Sequence, residues 1–568
     1  MAGLSWLLPV LAGCVTGVDG PPPPRDDLGE LGAFVRAAWQ GEQGESGPPG
    51  IAPAVNVILR AGGGRLADVW ESGGPTREQI ARAIDVAKSG MAATKRAEAD
   101  VIELAIVGDV QRYGHRLRDR RLHANYERGM RGVHISYRGI DVWYGPHYQI
   151  NTNRRIDRIY EVFGAANKAA KDSVETAAVV ESFAIDHILV PLDGGPAVRL
   201  ERGNIHVPVA AVDRASIGRF ANKAAQWMAA NVRPDGGLTY AYYPSAARES
   251  ANLNVLRRWL AVTALNRAGL WDASRRAIDH GLARFYREAD GLGLIEHDGK
   301  VKLGAVALAA MAIHGHPERD RWQDAYEGLL RTVDHLWNAN GAFRTFLMPP
   351  GRDDNQNFYP GEALYLWAQI YGESGDPRLL ERIMTSFAYY RDWHLGVDPA
   401  SGRARRNPAF VPWHSQAYYR LWRETGDHRL ADFVFAMNDW LIKLQQGEGD
   451  VAYRDMAGRF YKEGGAYGPP HASSTAAYLE GLVDALRLAE AVGDGARAAR
   501  YERAIRHGFR SLMQLQFADD IDTYYVGAAN RRYVDGGLRT TVYDNRIRVD
   551  NVAHGLAAAL KYLAKPAS

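Results

Sequence analysis

The last 350 residues or so of the chain repeat one pattern of apolar and polar positions. From about residue 214 onward, apolar residues recur at helical spacing, and Gly, Pro and Asp separate one segment from the next. A helical pair that recurs roughly every 50 residues is typical of a helical array or a closed toroid. Twelve helices are predicted, at about 214–231, 251–268, 271–288, 301–315, 318–338, 359–374, 376–395, 411–426, 428–446, 472–493, 495–516 and 548–564.

Hydrophobicity divides these helices into two alternating sets. The odd-numbered helices are amphipathic: in residues 428–446 an apolar stripe that includes Leu430, Val434 and Leu441 faces one way, and charged residues face the other. The even-numbered helices, such as residues 301–315, are apolar nearly all round, which is typical of buried helices. Six buried helices that alternate with six amphipathic ones predict an inner ring inside an outer ring, an (α/α)6 barrel.

The turns between the helices repeat as well. The phrases "YGESGDPRLLER", "WRETGDHRLADF" and "AEAVGDGARAARY" each place a glycine at the end of one helix and an aspartate before the next. Glycine adopts the left-handed conformation that ends many helices, and aspartate caps the free N–H groups of a helix start. These phrases therefore predict tight helical hairpins.

Residues 27–210 have a mixed pattern that predicts an α+β domain. Runs rich in Val and Ile predict strands in "AVNVILR", "ADVIELAIVGDV", "GVHISYRGIDVWYG" and "AVVESFAIDHILVPL". Two helices are predicted, one from Thr76 as its N-cap and one within residues 154–172. The run "AGGGRL" lacks the Lys-Ser/Thr of a phosphate-binding loop and is interpreted as a hairpin turn.

Composition and charge narrow the classes of function. The 568 residues allow two or three domains, and the formal net charge is +3. Acidic residues interleave with the arginine clusters, so a solvated surface is favoured over a nucleic-acid interface. The single cysteine, Cys14, excludes internal disulfides and cysteine-based zinc sites. No His-x-x-x-His pair indicates a metal site, and we expect no cofactor.

The first 26 residues suggest a location for the protein. Cys14 lies in "LLPVLAGCVTG", which resembles a bacterial lipoprotein signal, although no Lys or Arg precedes the apolar run. Four prolines, Pro21 to Pro24, follow as an extended spacer. We expect Cys14 to be lipidated and the body to be tethered outside the cytoplasmic membrane; a buried cysteine or an ordinary signal peptide are the alternatives. The expected domains are residues 1–26, 27–210 and 211–568.

Polar and aromatic residues gather at the starts of the buried helices. In a toroid these helices run in one direction, so their starts share one face. The candidates for catalysis are Glu362, Asp550, His414, His471 and His554, with Glu463 from a loop. The candidates for substrate binding are Asn254, Arg257, Tyr359 and Trp413 at helix starts, with Tyr467 and Arg546 from loops. The structural alternatives are dipole stabilisation by Glu362, capping by Asp550, core packing of the aromatics and hydrogen-bonded core histidines.

Two family resemblances accompany these patterns. The alternation of buried and amphipathic helices over roughly 350 residues resembles the six-hairpin glycosidase-like superfamily, which implies a substrate site on the face where the inner helices begin. The N-terminal region resembles the AMMECR1-like fold, through "GGGRLADVW", the REQIARAI helix, "ADVIELAIV" and "RGVHISYRG". The second resemblance supplies no mechanism.

Three functions are compatible with this arrangement. Aromatic faces beside hydrogen-bonding groups suit carbohydrate. A glycoside hydrolase acting on a surface or extracellular polysaccharide would use Glu362 and Asp550 as its two carboxyl groups, with Glu463 in reserve. A polysaccharide lyase or sugar epimerase would instead use the histidines and Tyr359, with Arg257 to neutralise charge. The third alternative is a non-catalytic lipoprotein that binds glycan or assists its export.

Overall fold

The computed structural model describes residues 27–42, 47–112, 127–399, 401–461 and 471–564. An α+β region comes first along the chain and an all-helical barrel follows. Among the described residues, none of the helices has the length and apolar character needed to cross a membrane.

The N-terminal region is built on one antiparallel sheet. In spatial order its strands are β2-β1-β3-β6-β4-β5, and β7 pairs with β6. Three of the predicted strand runs form β1, β3 and β6, and "GVHISYRGIDVWYG" folds into the hairpin of β4 and β5. The strands are β1 (Val55–Ala61), β2 (Gly64–Glu71), β3 (Val101–Arg112), β4 (Arg131–Tyr137), β5 (Ile140–Tyr144), β6 (Val179–Pro191) and β7 (Val198–Arg199).

Helices cover one face of this sheet. Val55, Val57 and Leu59 of β1 point to that face and pack in a core with Ile80 and Ile84 of the second helix. Each of these five side chains is buried, as the alternation of the strand requires. The helices described in this region are α1 (Leu28–Gln40), α2 (Thr76–Ser89), α3 (Ala93–Ala97), α4 (Pro146–Asn151), α5 (Ile156–Ala166) and α6 (Lys171–Ala177).

Two local features of this region can be compared with the sequence. The turn at Gly62 and Gly63 joins β1 to β2, so the predicted hairpin is confirmed. The prediction of Thr76 as an N-cap is wrong, because Pro75 occupies the cap position. The Thr76 hydroxyl donates to Gly50 O and accepts from Ala52 N instead, tying the helix start to the preceding loop.

The C-terminal region forms the predicted (α/α)6 barrel. The inner helices are α8, α10, α12, α14, α16 and α18; each contacts the next, and α18 contacts α8, which closes the ring. The outer helices are α7, α9, α11, α13, α15 and α17. In chain order the twelve helices described here are α7 (Arg214–Ala230), α8 (Val255–Arg267), α9 (Trp271–Phe285), α10 (Leu303–His314), α11 (Gln323–Leu336), α12 (Tyr359–Ser374), α13 (Pro377–Leu395), α14 (Val411–Thr425), α15 (His428–Leu441), α16 (Ala472–Ala491), α17 (Gly495–Met513) and α18 (Val549–Leu563).

The two ends of the barrel differ in their loops. Short turns join each of the first five inner helices to the next outer helix, and at three of them the predicted caps are confirmed. Gly375, Gly426 and Gly493 have positive φ, and Asp376, Asp427 and Asp494 accept from N–H groups of the next helix. The connections from outer to inner helices are much longer, spanning 231–254, 286–302, 337–358, 396–410, 442–471 and 514–548. We call this end, where the inner helices begin, the mouth of the barrel.

Short strands stiffen the mouth loops. One four-stranded sheet has the order β10-β11-β12-β13 and the other has the order β14-β15-β8-β9. These strands were not predicted from the sequence. They are β8 (Ala241–Tyr243), β9 (Arg248–Glu249), β10 (Tyr286–Ala289), β11 (Leu292–His297), β12 (Lys300–Lys302), β13 (Phe346–Met348), β14 (Arg539–Thr541) and β15 (Asp544–Arg548).

Candidate active site

Glu362 lies in the first turn of α12, where its carboxyl group faces the neighbouring inner helix α10. The side chain is 2% exposed, and its Oε2 atom makes no hydrogen bond. Gly304 of α10 leaves the space that this carboxyl group fills, because a Cβ atom there would overlap Oε2. Burial raises the pKa of Glu362 to about 8, and the charge of Arg257 opposes this rise only in part. At neutral pH this side chain is therefore a protonated carboxylic acid.

Asp550 lies in the first turn of α18 and has the opposite character. Its side chain is completely buried between two arginines. Arg548 Nε donates to Oδ1 at 3.0 Å, and Arg257 Nε lies 3.1 Å from Oδ2. Burial alone would raise the pKa of Asp550, but the charges of Arg257 and Arg548 outweigh it and lower the pKa to about 2. Asp550 is therefore ionised throughout the neutral range.

The ring places these two carboxyl groups on opposite walls of the mouth. Helix α12 is the third inner helix and α18 is the sixth, so the two helices lie across the axis from each other. Arg257, on α8 beside α18, contacts Asp550 and acts on the pKa of Glu362 as well. Its side chain keeps 31% of its surface accessible, so a ligand in the mouth can reach it. One neutral acid and one ionised carboxylate thus lie buried at the same end of the barrel, with Arg257 between them and the solvent-accessible mouth.

His471 and Asn254 cap the inner helices at this rim. The Asn254 side chain accepts from Arg257 N at 3.1 Å, which fixes the start of α8 and the backbone of the arginine. His471 Nδ1 accepts from Ser474 N at 3.3 Å at the start of α16. Burial, and then the charge of Arg548, lower the pKa of His471 to about 4, so the ring is neutral near pH 7. Both residues stand at the mouth as predicted, in capping roles.

His554 lies one turn below Asp550, deeper in the barrel. Its Nδ1 atom is 2.6 Å from Oε1 of Glu480 on α16. Burial opposes ionisation of Glu480, but the hydrogen bond with His554 and the charge of Arg267 outweigh it, and the pKa lies below its ordinary value. Because an ionised carboxylate only accepts hydrogen bonds, Nδ1 carries a proton. The other side of the ring meets Trp413 edge-on, with centroids 6.2 Å apart.

Further charged side chains lie below His554, deeper inside the barrel. Arg267 NH1 donates to Glu480 Oε2 at 3.1 Å, and its NH2 donates to the Tyr365 hydroxyl at 3.4 Å. Lys561 Nζ donates to Asp484 Oδ2 at 2.5 Å and to Glu480 O at 3.0 Å. Each of these charges has an opposite partner, as burial of charge requires. This group of residues was not predicted from the sequence, although acidic and basic residues inside otherwise apolar helices could have indicated it.

The expectation that His414 faces the shared cavity is wrong. Its ring stacks on Phe410 with centroids 3.5 Å apart and lies 5.6 Å from Tyr390 of the outer helix α13. The side chain is completely buried, its Nδ1 donates to Phe410 O at 3.0 Å, and burial lowers its pKa to about 3. His414 therefore points away from the axis, into the layer between the inner and outer rings. Helix geometry explains this, because Trp413, the preceding residue, turns toward the axis.

The remaining candidates lie at the rim or outside the described residues. Tyr359 is 8% exposed, and burial and Glu362 raise its pKa above the ordinary value. Arg546 lies on β15, with its NH2 group 3.5 Å from Asp544 Oδ2. Arg548, which the sequence reasoning missed as a candidate, is the closest basic partner of Asp550. The candidates Glu463, Tyr467 and Cys14 lie outside the described residues.

Comparisons with known proteins give weak similarities. No family model matches the sequence, and no curated protein matches it. An inactive variant of an alpha-1,6-mannanase from a Salegentibacter species, in complex with alpha-1,6-mannotriose, is 12% identical; the match covers 61% of this chain and 99% of that one, with a TM-score of 0.43. An unsaturated glucuronyl hydrolase from Streptococcus agalactiae is 13% identical, with 62% and 93% covered and a TM-score of 0.43.

A third match covers a smaller share of the chain. An uncharacterised protein from Pyrococcus horikoshii is 12% identical; the match covers 31% of this chain and 98% of that one, with a TM-score of 0.26. With TM-scores below 0.5, none of these similarities defines the activity of this chain. Within the described ranges, no group of three or more His, Cys, Asp or Glu side chains is placed to hold a metal ion.

Proposed function

We propose that this protein is a glycan-active enzyme, a glycoside hydrolase whose active site is the mouth of the barrel. The observation that supports this most strongly is the pair Glu362 and Asp550, which lie on opposite walls of the mouth with pKa values of about 8 and about 2. Hydrolysis of a glycosidic bond needs one protonated and one ionised carboxyl group at the same place. Proteins assign these two roles by placing the carboxyl groups in environments that raise the pKa of one and lower the pKa of the other.

In this proposal Glu362 is the general acid. Its proton passes to the glycosidic oxygen as the bond to the sugar breaks, so the leaving sugar departs as a neutral alcohol. Burial supplies the proton at neutral pH, because it raises the pKa to about 8. The unpaired Oε2 atom leaves the carboxyl group without a competing protein partner.

Asp550 is the ionised partner. Positive charge develops on the sugar ring as the bond breaks, and the carboxylate stabilises it or directs water to the opposite face. Arg257 and Arg548 keep Asp550 ionised and fix its orientation. Trp413 and Tyr359 place aromatic rings at the same end of the barrel, 7% and 8% exposed, and aromatic rings suit the apolar faces of sugars.

A screen of extracellular polysaccharides tests this proposal. Wild-type protein and the Glu362→Gln variant are incubated with each glycan, and new reducing ends are measured. Glu327→Gln, an exposed carboxylate of the outer helix α11, is the matched control. The proposal predicts release by the wild type and by the control, and loss of release in Glu362→Gln. Binding without any new reducing end would favour the non-catalytic glycan-binding alternative.

A second function is favoured by the pair His554 and Glu480. A carboxylate that orients an imidazole is the arrangement of a general base, and a lyase or epimerase uses such a base to remove a proton next to a sugar carboxylate. The His554 Nδ1 and Glu480 Oε1 atoms are 2.6 Å apart, one helical turn below Asp550. This alternative predicts unsaturated products, detected by their absorbance, and their loss in His554→Gln with retention in Glu362→Gln.

We also propose that the protein is a lipoprotein outside the cytoplasmic membrane. The support is the run "LAGC" before the prolines at positions 21–24. Growth with a labelled fatty acid should label the wild type, and Cys14→Ala should be unlabelled and released from membranes. Equal labelling of both proteins would contradict the proposal.

A further inference from the structure

The N-terminal region reaches the proposed site through one strand of the barrel. Strand β15 (Asp544–Arg548) leads directly into α18, and Asp550 lies two residues beyond its end. On one side β15 pairs with β14, and on the other it pairs with β8. A shift of this strand therefore displaces Arg548 relative to Asp550, which Arg257 of α8 also holds.

Asn153 holds the beginning of this strand. It belongs to the turn after α4 and has a φ of +51°, a conformation that asparagine tolerates better than most residues. Its Nδ2 atom donates to Asp544 Oδ1 at 3.0 Å, and its Oδ1 atom accepts from Asn545 N at 3.3 Å. One side-chain amide thus bonds to the side chain of Asp544 and to the backbone of Asn545.

Further contacts fix the same hairpin. The side chain of Asn545 is 1% exposed and donates to Ile150 O at 2.8 Å. On the partner strand, Arg539 is 1% exposed and its NH1 donates to Arg202 O at 2.7 Å. These four residues are distant in sequence, and their buried hydrogen bonds all join the N-terminal region to β14 or β15.

We infer that the N-terminal region is a structural part of the active site, and that Asn153 is a positioning residue that holds β15 so that Arg548 meets Asp550. This inference rests on the proposed function for its kinetic consequence. The position of the strand itself is independent of that function. Asn153 touches no atom of the proposed catalytic pair, so its effect passes through the strand.

The test uses hydrogen exchange and kinetics on the full chain. In Asn153→Ala, exchange of the backbone amides of residues 544–553 should accelerate about tenfold or more, because both hydrogen bonds of the Asn153 side chain to β15 are lost. Exchange in α12, across the barrel, should be unchanged. On a glycan that the wild type cleaves, kcat should fall about tenfold or more while KM changes less than twofold, because orientation is lost and binding is not. The acid limb of the pH profile should also move to higher pH, because Asp550 loses part of its contact with Arg548.

Two further variants separate positioning from general destabilisation. Asn167→Ala removes a hydrogen bond to Phe163 O in the same region, away from the barrel, and should leave exchange at 544–553 unchanged. The double variant Asn153→Asp, Asp544→Asn swaps the two side chains and restores a donor and an acceptor between the two positions. It should recover the kcat and the slow hydrogen exchange of the wild type. If Asn153→Ala does not fold, the comparison of this double variant with Asn153→Asp alone tests the same point.

The outcomes distinguish the two proposals. Faster hydrogen exchange at 544–553 in Asn153→Ala, with rescue by the double variant, supports the inference. It does so even if the wild type cleaves no glycan, a result that would overturn only the hydrolase proposal. Wild-type exchange and wild-type kcat in Asn153→Ala would overturn the inference and leave the hydrolase proposal standing.

Discussion

Arg257 Nε lies 3.1 Å from Asp550 Oδ2, so an arginine on the first inner helix is paired with a carboxylate on the last one. The same guanidinium lowers the pKa of Glu362 on the far wall, although burial raises that pKa more. Arg257 is the one side chain among those described at the mouth that acts on the pKa of both proposed catalytic groups. The closed ring makes this relationship, because it brings the first and last hairpins together.

Replacement of Arg257 by Met should move both limbs of the pH profile to higher pH. Without the positive charge, the pKa of Asp550 and the pKa of Glu362 both rise, because both carboxylates lose a favourable partner. The acid limb of the profile follows the pKa of Asp550, and the basic limb follows the pKa of Glu362. Measurement of kcat/KM against pH checks this. Arg275→Met, which breaks an ion pair with Asp272 on outer helix α9, should leave both limbs in place.

The Glu362→Gln variant should be more resistant to alkaline pH than the wild type. Folded Glu362 keeps its proton up to about pH 8, whereas the unfolded chain releases it above its ordinary pKa of 4.5. Rising pH between these values therefore favours the unfolded wild type, by up to about 5 kcal/mol at about 1.36 kcal/mol per pH unit. Glutamine has no proton to lose, so the variant lacks this dependence.

Urea unfolding at a series of pH values measures the difference. The free energies of unfolding should agree within about 1 kcal/mol near pH 5, and the variant should be the more stable one at pH 8. Parallel curves for the two proteins from pH 5 to pH 8 would show that Glu362 is already ionised at neutral pH.

Gly304→Ala should impair the site without touching substrate. The added Cβ atom would overlap Glu362 Oε2 and lie 2.5 Å from Tyr359 Cδ1, so the carboxyl group must move. We expect a loss of about 1–3 kcal/mol of stability from overpacking and a lower kcat. Gly218→Ala, in the outer helix α7 with open space around the new methyl group, should instead be neutral or stabilising by about 0.5–1 kcal/mol.

Thermal unfolding and kcat of the two glycine variants decide this point. A Gly304→Ala protein that matches the wild type in both would mean that Glu362 has room to adjust and is not held by its packing.

Glu480→Gln should strongly destabilise the barrel. The carboxylate pairs with the buried His554 and with Arg267, whose side chain is 28% exposed, so the substitution breaks a buried pair and a partly exposed one. Loss of one partner of a buried pair costs about 3–5 kcal/mol. Chemical unfolding checks this, with Glu502→Gln as the control. Glu502 accepts from the Tyr562 hydroxyl near the surface, and a change within about 0.5 kcal/mol is expected there.

The architecture of the barrel could be predicted from the sequence because the patterns that define its helices and turns are local. The alternation of apolar and amphipathic helices decides which face is buried, and phrases such as the one around Gly375 mark each tight turn. All twelve helices were found within a few residues of their bounds. The short strands of the mouth were missed because each spans only two to six residues, too few for an alternating pattern to stand out, and β2 was missed because its residues are exposed or half-buried.

The site was less readable, because position along a helix does not define which way a side chain points. Adjacent residues on a helix are about 100° apart, so Trp413 turns to the axis and His414 turns to the outer ring. Arg257, one partner of Asp550, comes from the other end of the barrel domain, which no spacing along the chain reveals. The contact between Asn153 and Asp544 joins the N-terminal region to the barrel, and the pattern of neither region indicates it.

The most direct test of the central claim is a crystal structure of the Glu362→Gln variant with an oligosaccharide from a glycan that the wild type cleaves. The sugar is expected to lie in the mouth, with the glycosidic oxygen within hydrogen-bonding distance of the substituted side chain at position 362 and the sugar ring between that side chain and Asp550. A sugar bound on the outer wall or at the opposite end of the barrel, with the side chain at position 362 still enclosed against Gly304, would contradict it.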